Sequence, residues 1–182
     1  MRKRMKWMAS ILVVAMVLTL CPMMHGTEVQ AASSKTKMKS LTKEFVNFAG
    51  EICTDNTWLN KTKSYSFSSS AARKKVAKYA EYDGSHKKLS YYAKKLFGKT
   101  IQSDEKVLVG DWGAAWPEFS FGKITKLKSG KYRISFSVKW VNEAENTETK
   151  LATGKLYVKP KKGSYYGYVA TKLVIKRNNK PF

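Results

Sequence analysis

Tyr132-Arg133-Ile134-Ser135-Phe136-Ser137-Val138-Lys139-Trp140 alternates an apolar with a polar residue at every step. Successive side chains of a strand point to opposite faces, so the stretch predicts a β-strand with one buried and one wet face. Ser129-Gly130 precedes it as a turn, and Phe119, Phe121 and Leu127 mark its partner strand. Within that partner Ile124 falls out of register with Phe121, which places a β-bulge at Gly122. Leu156 and Val158 head a third strand, Lys161-Lys162-Gly163 turns the chain, and Val169, Thr171, Leu173 and Ile175 form a fourth. Pro160 belongs at a strand end, because it cannot donate to a ladder. Val107 to Val109 offers a short edge strand as a fifth.

Before Gly98 the apolar period is helical. Leu41, Phe45, Phe48, Ala49 and Ile52 share one face of a helix over about 41–53. Thr54 to Ser66 is polar and reads as a loop, although Trp58 and Leu59 need somewhere to pack. Ser68-Ser69-Ser70 can cap a second helix over 71–82, with Val76, Tyr79 and Ala80 inside. A third runs over 86–97 with Leu89, Tyr92, Ala93, Leu96 and Phe97 on one side, and Gly98 stands where a helix ends in a left-handed residue. Helices segregated before a meander predict an α+β domain, with N-terminal helices packed on a curved antiparallel sheet of four or five strands.

This order of elements over about 41–177 resembles the cystatin-like and NTF2-like cone folds of small exported proteins from Gram-positive bacteria. Cystatins carry a Gln-x-Val-x-Gly inhibitory loop. The nearest stretch here is Lys106-Val107-Leu108-Val109-Gly110, which lacks the Gln and has Leu in place of the Val, so no inhibitory residue carries over. The NTF2-like group hosts many unrelated functions, and the resemblance selects none of them.

The first 31 residues read as a secretory signal. Arg2, Lys3, Arg4 and Lys6 form a positive head, Ile11 to Leu20 an apolar run broken by Thr19, and Val29-Gln30-Ala31-Ala32 a small-residue cleavage site. An uncleaved anchor is disfavoured because a spanning helix needs about 20 apolar residues, and Pro22 and Gly26 follow a shorter run. Leu18-Thr19-Leu20-Cys21 resembles a lipobox, but Leu20 is large where a small residue is needed. The expected organisation is a signal at 1–31, a Ser/Thr/Lys-rich flexible lead-in at 32–40 and one domain at 41–182, exported and extracellular. Material secreted by the native host should begin at Ala32 or Ser33 on N-terminal sequencing; an intact Met1 on membrane-bound protein would mean an anchor.

The formal charge is +22. Removing residues 1–31 takes away four of the 35 Lys/Arg and one of the 13 Asp/Glu, leaving about +19 on a chain that can bury roughly two-thirds of its unfolded surface. Lysine dominates, with only Arg73, Arg133 and Arg177 after the leader. Arginine forks read phosphates and bases bidentately, whereas lysines act as solvated point charges. The excess therefore argues against sequence-specific nucleic-acid reading and for delocalised attraction to anionic envelope polymers such as teichoic acid or acidic glycans. Lysine-biased composition and solubility are the bland alternative, which leaves the scarcity of acids unaccounted for.

Catalytic constellations are thin. Cys53 and His86 are the only Cys and His after the leader, but Cys53 falls on the apolar side of its helix and His86 stands beside Lys87 and Lys88. They offer too few ligands for zinc, and the acidic loop of Glu143, Glu145 and Glu148 lacks the Asp and Gly of a calcium loop. No cofactor or metal is called for. Two candidate ligand surfaces remain. Asp111, Trp112, Trp116 and Glu118 lie in Gly110-Asp111-Trp112-Gly113-Ala114-Ala115-Trp116-Pro117-Glu118, where tryptophans near carboxylates can stack a sugar or simply close one end of the sheet. Lys94, Lys95, Lys161 and Lys162, interleaved with Tyr91, Tyr92, Tyr165, Tyr166 and Tyr168, can form an aromatic-basic patch that grips polyanions. The balance favours a secreted, non-enzymatic binding or accessory domain. The alternative is a small-ligand binder or enzyme with a pocket between helices and sheet. A toxin-like membrane-active protein is disfavoured, since the charge is not gathered on one amphipathic helix.

Overall fold

The computed structural model describes residues 22–54, 59–80, 87–103, 105 and 113–178, with side chains described outside 22–32 and 51–54. The elements are α1 (Pro22–Lys43), α2 (Val46–Thr54), β1 (Thr62–Ser66), α3 (Ser70–Ala77), α4 (Leu89–Phe97), β2 (Ala115–Lys126), β3 (Tyr132–Asn142), β4 (Thr147–Pro160) and β5 (Tyr168–Arg177). They make an α+β protein whose five strands form one antiparallel sheet in the order β1-β5-β4-β3-β2. The chain divides into a unit of Met1–Thr36, helical over its described residues 22–36, and a second unit of Lys37–Phe182. No helix among the described residues is long and apolar enough to cross a membrane.

The alternating stretch becomes β3, with Ile134, Phe136, Val138 and Trp140 buried. Its register with β2 slips between Phe121 and Ile124, the irregularity that Gly122 marks in the sequence. Pro160 ends β4, and Leu156, Val158, Leu173 and Ile175 are buried as their alternation requires. Gly154 faces Phe136 across the β3–β4 pair, and the Phe136 ring occupies the space a Cβ would need. Gly154→Val must displace a buried ring, so it should cost about 1–3 kcal/mol. A thermal melt unchanged from the parent would show that the ring does not lie over the strand.

The described sheet takes its fifth strand from a segment that the sequence leaves as a loop. Val107–Val109 lies outside the described residues, and the fifth place is taken by β1, from the polar segment read as a loop. Thr62-Lys63-Ser64-Tyr65-Ser66 pairs with β5 at the sheet edge, with Tyr65 opposite Leu173. An edge strand needs little apolar surface, and this one contributes Tyr65, whose ring meets Phe48 edge-on at 5.2 Å.

The first predicted helix is two. Residues 33–40, expected as a flexible lead-in, are helical, and Met38 is buried one turn before Leu41. The Thr42 hydroxyl donates to the Met38 carbonyl at 2.7 Å, a back-bond that competes with the helix ladder. The helix breaks at Glu44–Phe45 and restarts as α2, which contacts β2 and β3. Phe45, Phe67 and Phe97 then meet, with ring centroids 4.4–6.3 Å apart, joining α4 and the segment after β1 to the break. Cys53 lies in α2 with its side chain outside the described set; Trp58 and His86 also lie outside the described residues.

Ser69 caps α3, its hydroxyl accepting from Ala72 N at 3.3 Å. The buried Arg73 then donates to the carbonyls of Phe67 (2.9 Å) and Ser68 (2.8 Å), so α3 is clamped to the segment that leaves β1. Glu105 ties α3 to α4. Its carboxylate pairs with Lys74 and Lys78, and its carbonyl accepts from Leu89 N at 3.0 Å. Hydrogen bonds from Lys74 and then Lys78 hold the Glu105 carboxyl below its ordinary pKa. A depressed folded value means that these pairs help the fold above the ordinary carboxylate range and stop helping as pH falls through the folded value. Glu105→Gln should therefore flatten the acid limb of a stability titration; an unchanged limb would assign that limb to other carboxylates.

Candidate functional site

In α4 the spacing of Leu89, Tyr92, Ala93 and Leu96 buries one face and leaves Tyr91 and Lys94 toward the outside. Gly98 ends the helix at φ 61, and its N–H bonds the Lys94 carbonyl at 2.9 Å. A Cβ there would stand 2.9 Å from Val169 Cγ1, so the left-handed backbone and the packed neighbour both favour glycine. Lys161 starts the β4–β5 turn, where Lys161 N bonds Gly167 O (2.9 Å) and Ser164 N bonds Lys161 O (3.1 Å). The turn returns over α4, and Lys161 Nζ donates to Gly98 O at 2.6 Å, a cation on the carbonyl end of a helix.

Between helix and turn lies an open depression of about 370 Å³ with walls of Tyr91, Lys94, Lys161 and Tyr165. Lys95, Gly98, Gly163 and Ser164 complete its lining. Three of the four lysines singled out in the sequence thus converge from segments more than sixty residues apart, while Lys162 is exposed in the same turn. The lysines are not equivalent. Lys95 is buried and its ammonium is committed to Glu44 at 2.9 Å, so it is a structural cation and not a surface contact. The reason is helical spacing, since Lys95 lies three residues after the buried Tyr92. Tyr166 also donates its hydroxyl to Glu44 Oε1. The Lys95 ammonium stands 4.9–5.7 Å from the rings of Tyr165, Tyr166 and Tyr92. At the other wall Lys87 lies 4.3 Å over Tyr91.

A second groove of about 400 Å³ lies between the start of α2 and β2. Trp116, Glu118, Phe119 and Phe121 line one side, with Lys43 and Asn47 opposite. Trp116 Nε1 donates to Glu118 Oε1 at 3.3 Å. The groove is set by a close approach, because a Cβ on Gly50 would stand 2.5 Å from Pro117 Cγ. Trp116 and Glu118 therefore line one groove together, whereas Asp111 and Trp112 lie outside the described residues. Lys43 and Asn47 were not anticipated, and Phe119 and Phe121 were read only as strand residues. Asn47 is the polar residue that follows Val46 in a helix read only for its apolar face.

Among the described residues no three His, Cys, Asp or Glu side chains gather to hold a metal ion. Glu148, expected in the acidic loop, stands in β4 and pairs with Lys139 at 2.6 Å, and that hydrogen bond raises the Lys139 pKa. What the first depression offers is positive charge beside tyrosine rings; the second offers aromatic surface with one carboxylate, one amide and one ammonium at its edge. No protein family, curated protein or solved structure matches this chain.

Proposed function

We propose that the chain is an exported, non-enzymatic binding or accessory domain that associates with anionic polymers of the cell envelope, with helices covering one face of a curved sheet in the manner of the cystatin-like and NTF2-like cone folds. The observation that carries the reading is the convergence of Lys94 and Lys161 on one tyrosine-walled depression. It gives the general lysine excess a place where charges from distant segments act on the same ligand. The Lys-dominated composition favours point-charge attraction over base reading. The test is co-sedimentation of the mature chain with purified walls, before and after chemical removal of their anionic polymers. Binding should require those polymers; equal binding to stripped walls would overturn the reading.

The groove at Trp116 favours a second reading, a small-ligand binder. A volume of about 400 Å³ between a helix and the sheet lies in the range of small-molecule pockets. Its signature would be binding that survives in high salt and disappears with Trp116→Ala.

A further inference from the structure

We propose that the depression between α4 and the β4–β5 turn recognises a saccharide unit bearing its own anionic group, with the sugar ring on Tyr165 and the anion between Lys94 and Lys161. The inference rests on the polyanion reading above and names the repeat chemistry that the site would select.

Tyr165 is the decisive residue. The residue is 66% exposed, while the other large apolar residues whose burial is described are buried or half-buried. It is nevertheless held in place. The Tyr166 ring meets it at 4.8 Å and 68°, and the Lys95 ammonium lies 4.9 Å from its centroid. Both supports are anchored in turn on the buried Glu44. An exposed ring fixed in this way loses little freedom when a flat apolar surface settles on it, which is what a stacking platform requires. A bare phosphate polymer has no such surface and would gain nothing from the ring.

The charges define the other half of the ligand. Because Glu44 neutralises Lys95, the cationic walls of the depression are Lys94 and Lys161, and Lys94 has no acidic partner among the described residues. Two ammonium groups suit one carboxylate or phosphate as point charges, without a bidentate fork. Gly163 leaves the rim bare, with no atom beyond its own chain neighbours within 4 Å of where its Cβ would lie, so a ring can approach the backbone there. The volume of about 370 Å³ is at the small end of ligand pockets, which fits one ring with its charged substituent and not a long segment of chain.

NMR titration of the mature chain with four probes tests this: glucuronate, glucose 6-phosphate, glucose and inorganic phosphate, at one ionic strength. At least one charged sugar should shift the amides of Gly98, Gly163 and Tyr165 and bind about tenfold or more tighter than both glucose and phosphate. Which charged sugar wins separates a carboxylate from a phosphate repeat. Tyr165→Ala should erase the advantage over phosphate, Tyr165→Phe should keep it, and Lys94→Gln should weaken both charged sugars. Phosphate binding as tightly as either sugar, or a Tyr165→Ala chain that retains the preference, overturns the saccharide inference while wall binding stands. Silence of all four probes at these amides also overturns it, and loss of polymer-dependent wall binding defeats the underlying reading separately.

Discussion

Lys95→Met should destabilise the domain by about 3–5 kcal/mol, the cost of removing one partner from a buried ion pair. Stabilities of domains this size are about 5–15 kcal/mol, so the variant should melt far earlier or fail to accumulate. The Lys95 and Glu44 side chains are only 4% and 9% exposed, and their charges meet at 2.9 Å. Oε1 of Glu44 receives both Lys95 and Tyr166, and Oε2 has no hydrogen-bond partner among the described residues. Without Lys95 the carboxylate would remain buried with one phenol against it. The double variant Lys95→Met with Glu44→Gln removes the charge as well as its partner, and it should recover most of the loss. Such recovery is the coupling expected of neighbours and is absent for independent sites. Chemical denaturation of the parent, the two single variants and the double variant measures it. A cost below about 1 kcal/mol for Lys95→Met would mean that the pair is as weak as an exposed one.

That pair also shows where the sequence was readable and where it was not. The sheet announced itself through alternation, because β3, β4 and β5 each bury one face and a period of two follows directly. Of the helices, α4 was legible for the same reason, and every residue assigned to its inner face is buried, whereas the helix expected over 71–82 ends at Ala77. β1 was not, since an edge strand with Tyr65 as its main apolar contact leaves almost no pattern. The break at Glu44–Phe45 was equally hidden, because Leu41 and Phe45 keep a helical interval across it. Thr42 was the available signal, a residue whose hydroxyl can divert the carbonyl of Met38.

For the candidate sites, the sequence offered residue types and the fold chose among them. Lys94 and Lys95 are adjacent and look alike, yet a rotation of about 100° between neighbours on a helix sends one outward and the other to Glu44. Two clues were present: Lys95 stands three residues from Tyr92, and Glu44 is the single acid between Glu28 and Glu51. No local pattern could bring Lys161 to Gly98 or Asn47 to Trp116, because those encounters depend on how the β4–β5 turn and α2 are carried by the sheet.

Binding to purified walls should fall by at least about tenfold between 0.01 M and 0.15 M salt, since the screening length shrinks from about 30 Å to about 8 Å. Lys94 and Lys162 are exposed, as are many lysines distant from the depression, so most of the attraction is long-range and screened. Charge reversal should therefore act in steps. Lys94→Glu and Lys162→Glu should each weaken binding a few-fold, and together by about the product, as for sites that do not share a partner. Lys161→Glu should do more, because it also removes the donor to the Gly98 carbonyl that holds the turn over α4. Lys95→Glu belongs to no such series: it sets a second carboxylate against Glu44 in a buried site and tests folding instead. Trp116→Ala should leave wall binding nearly unchanged if the polymer engages the lysine face, because that tryptophan lines the other groove. The opposite pattern, salt-insensitive binding that vanishes with Trp116, would transfer the function to the groove between α2 and β2. It would leave the lysine surface a matter of solubility.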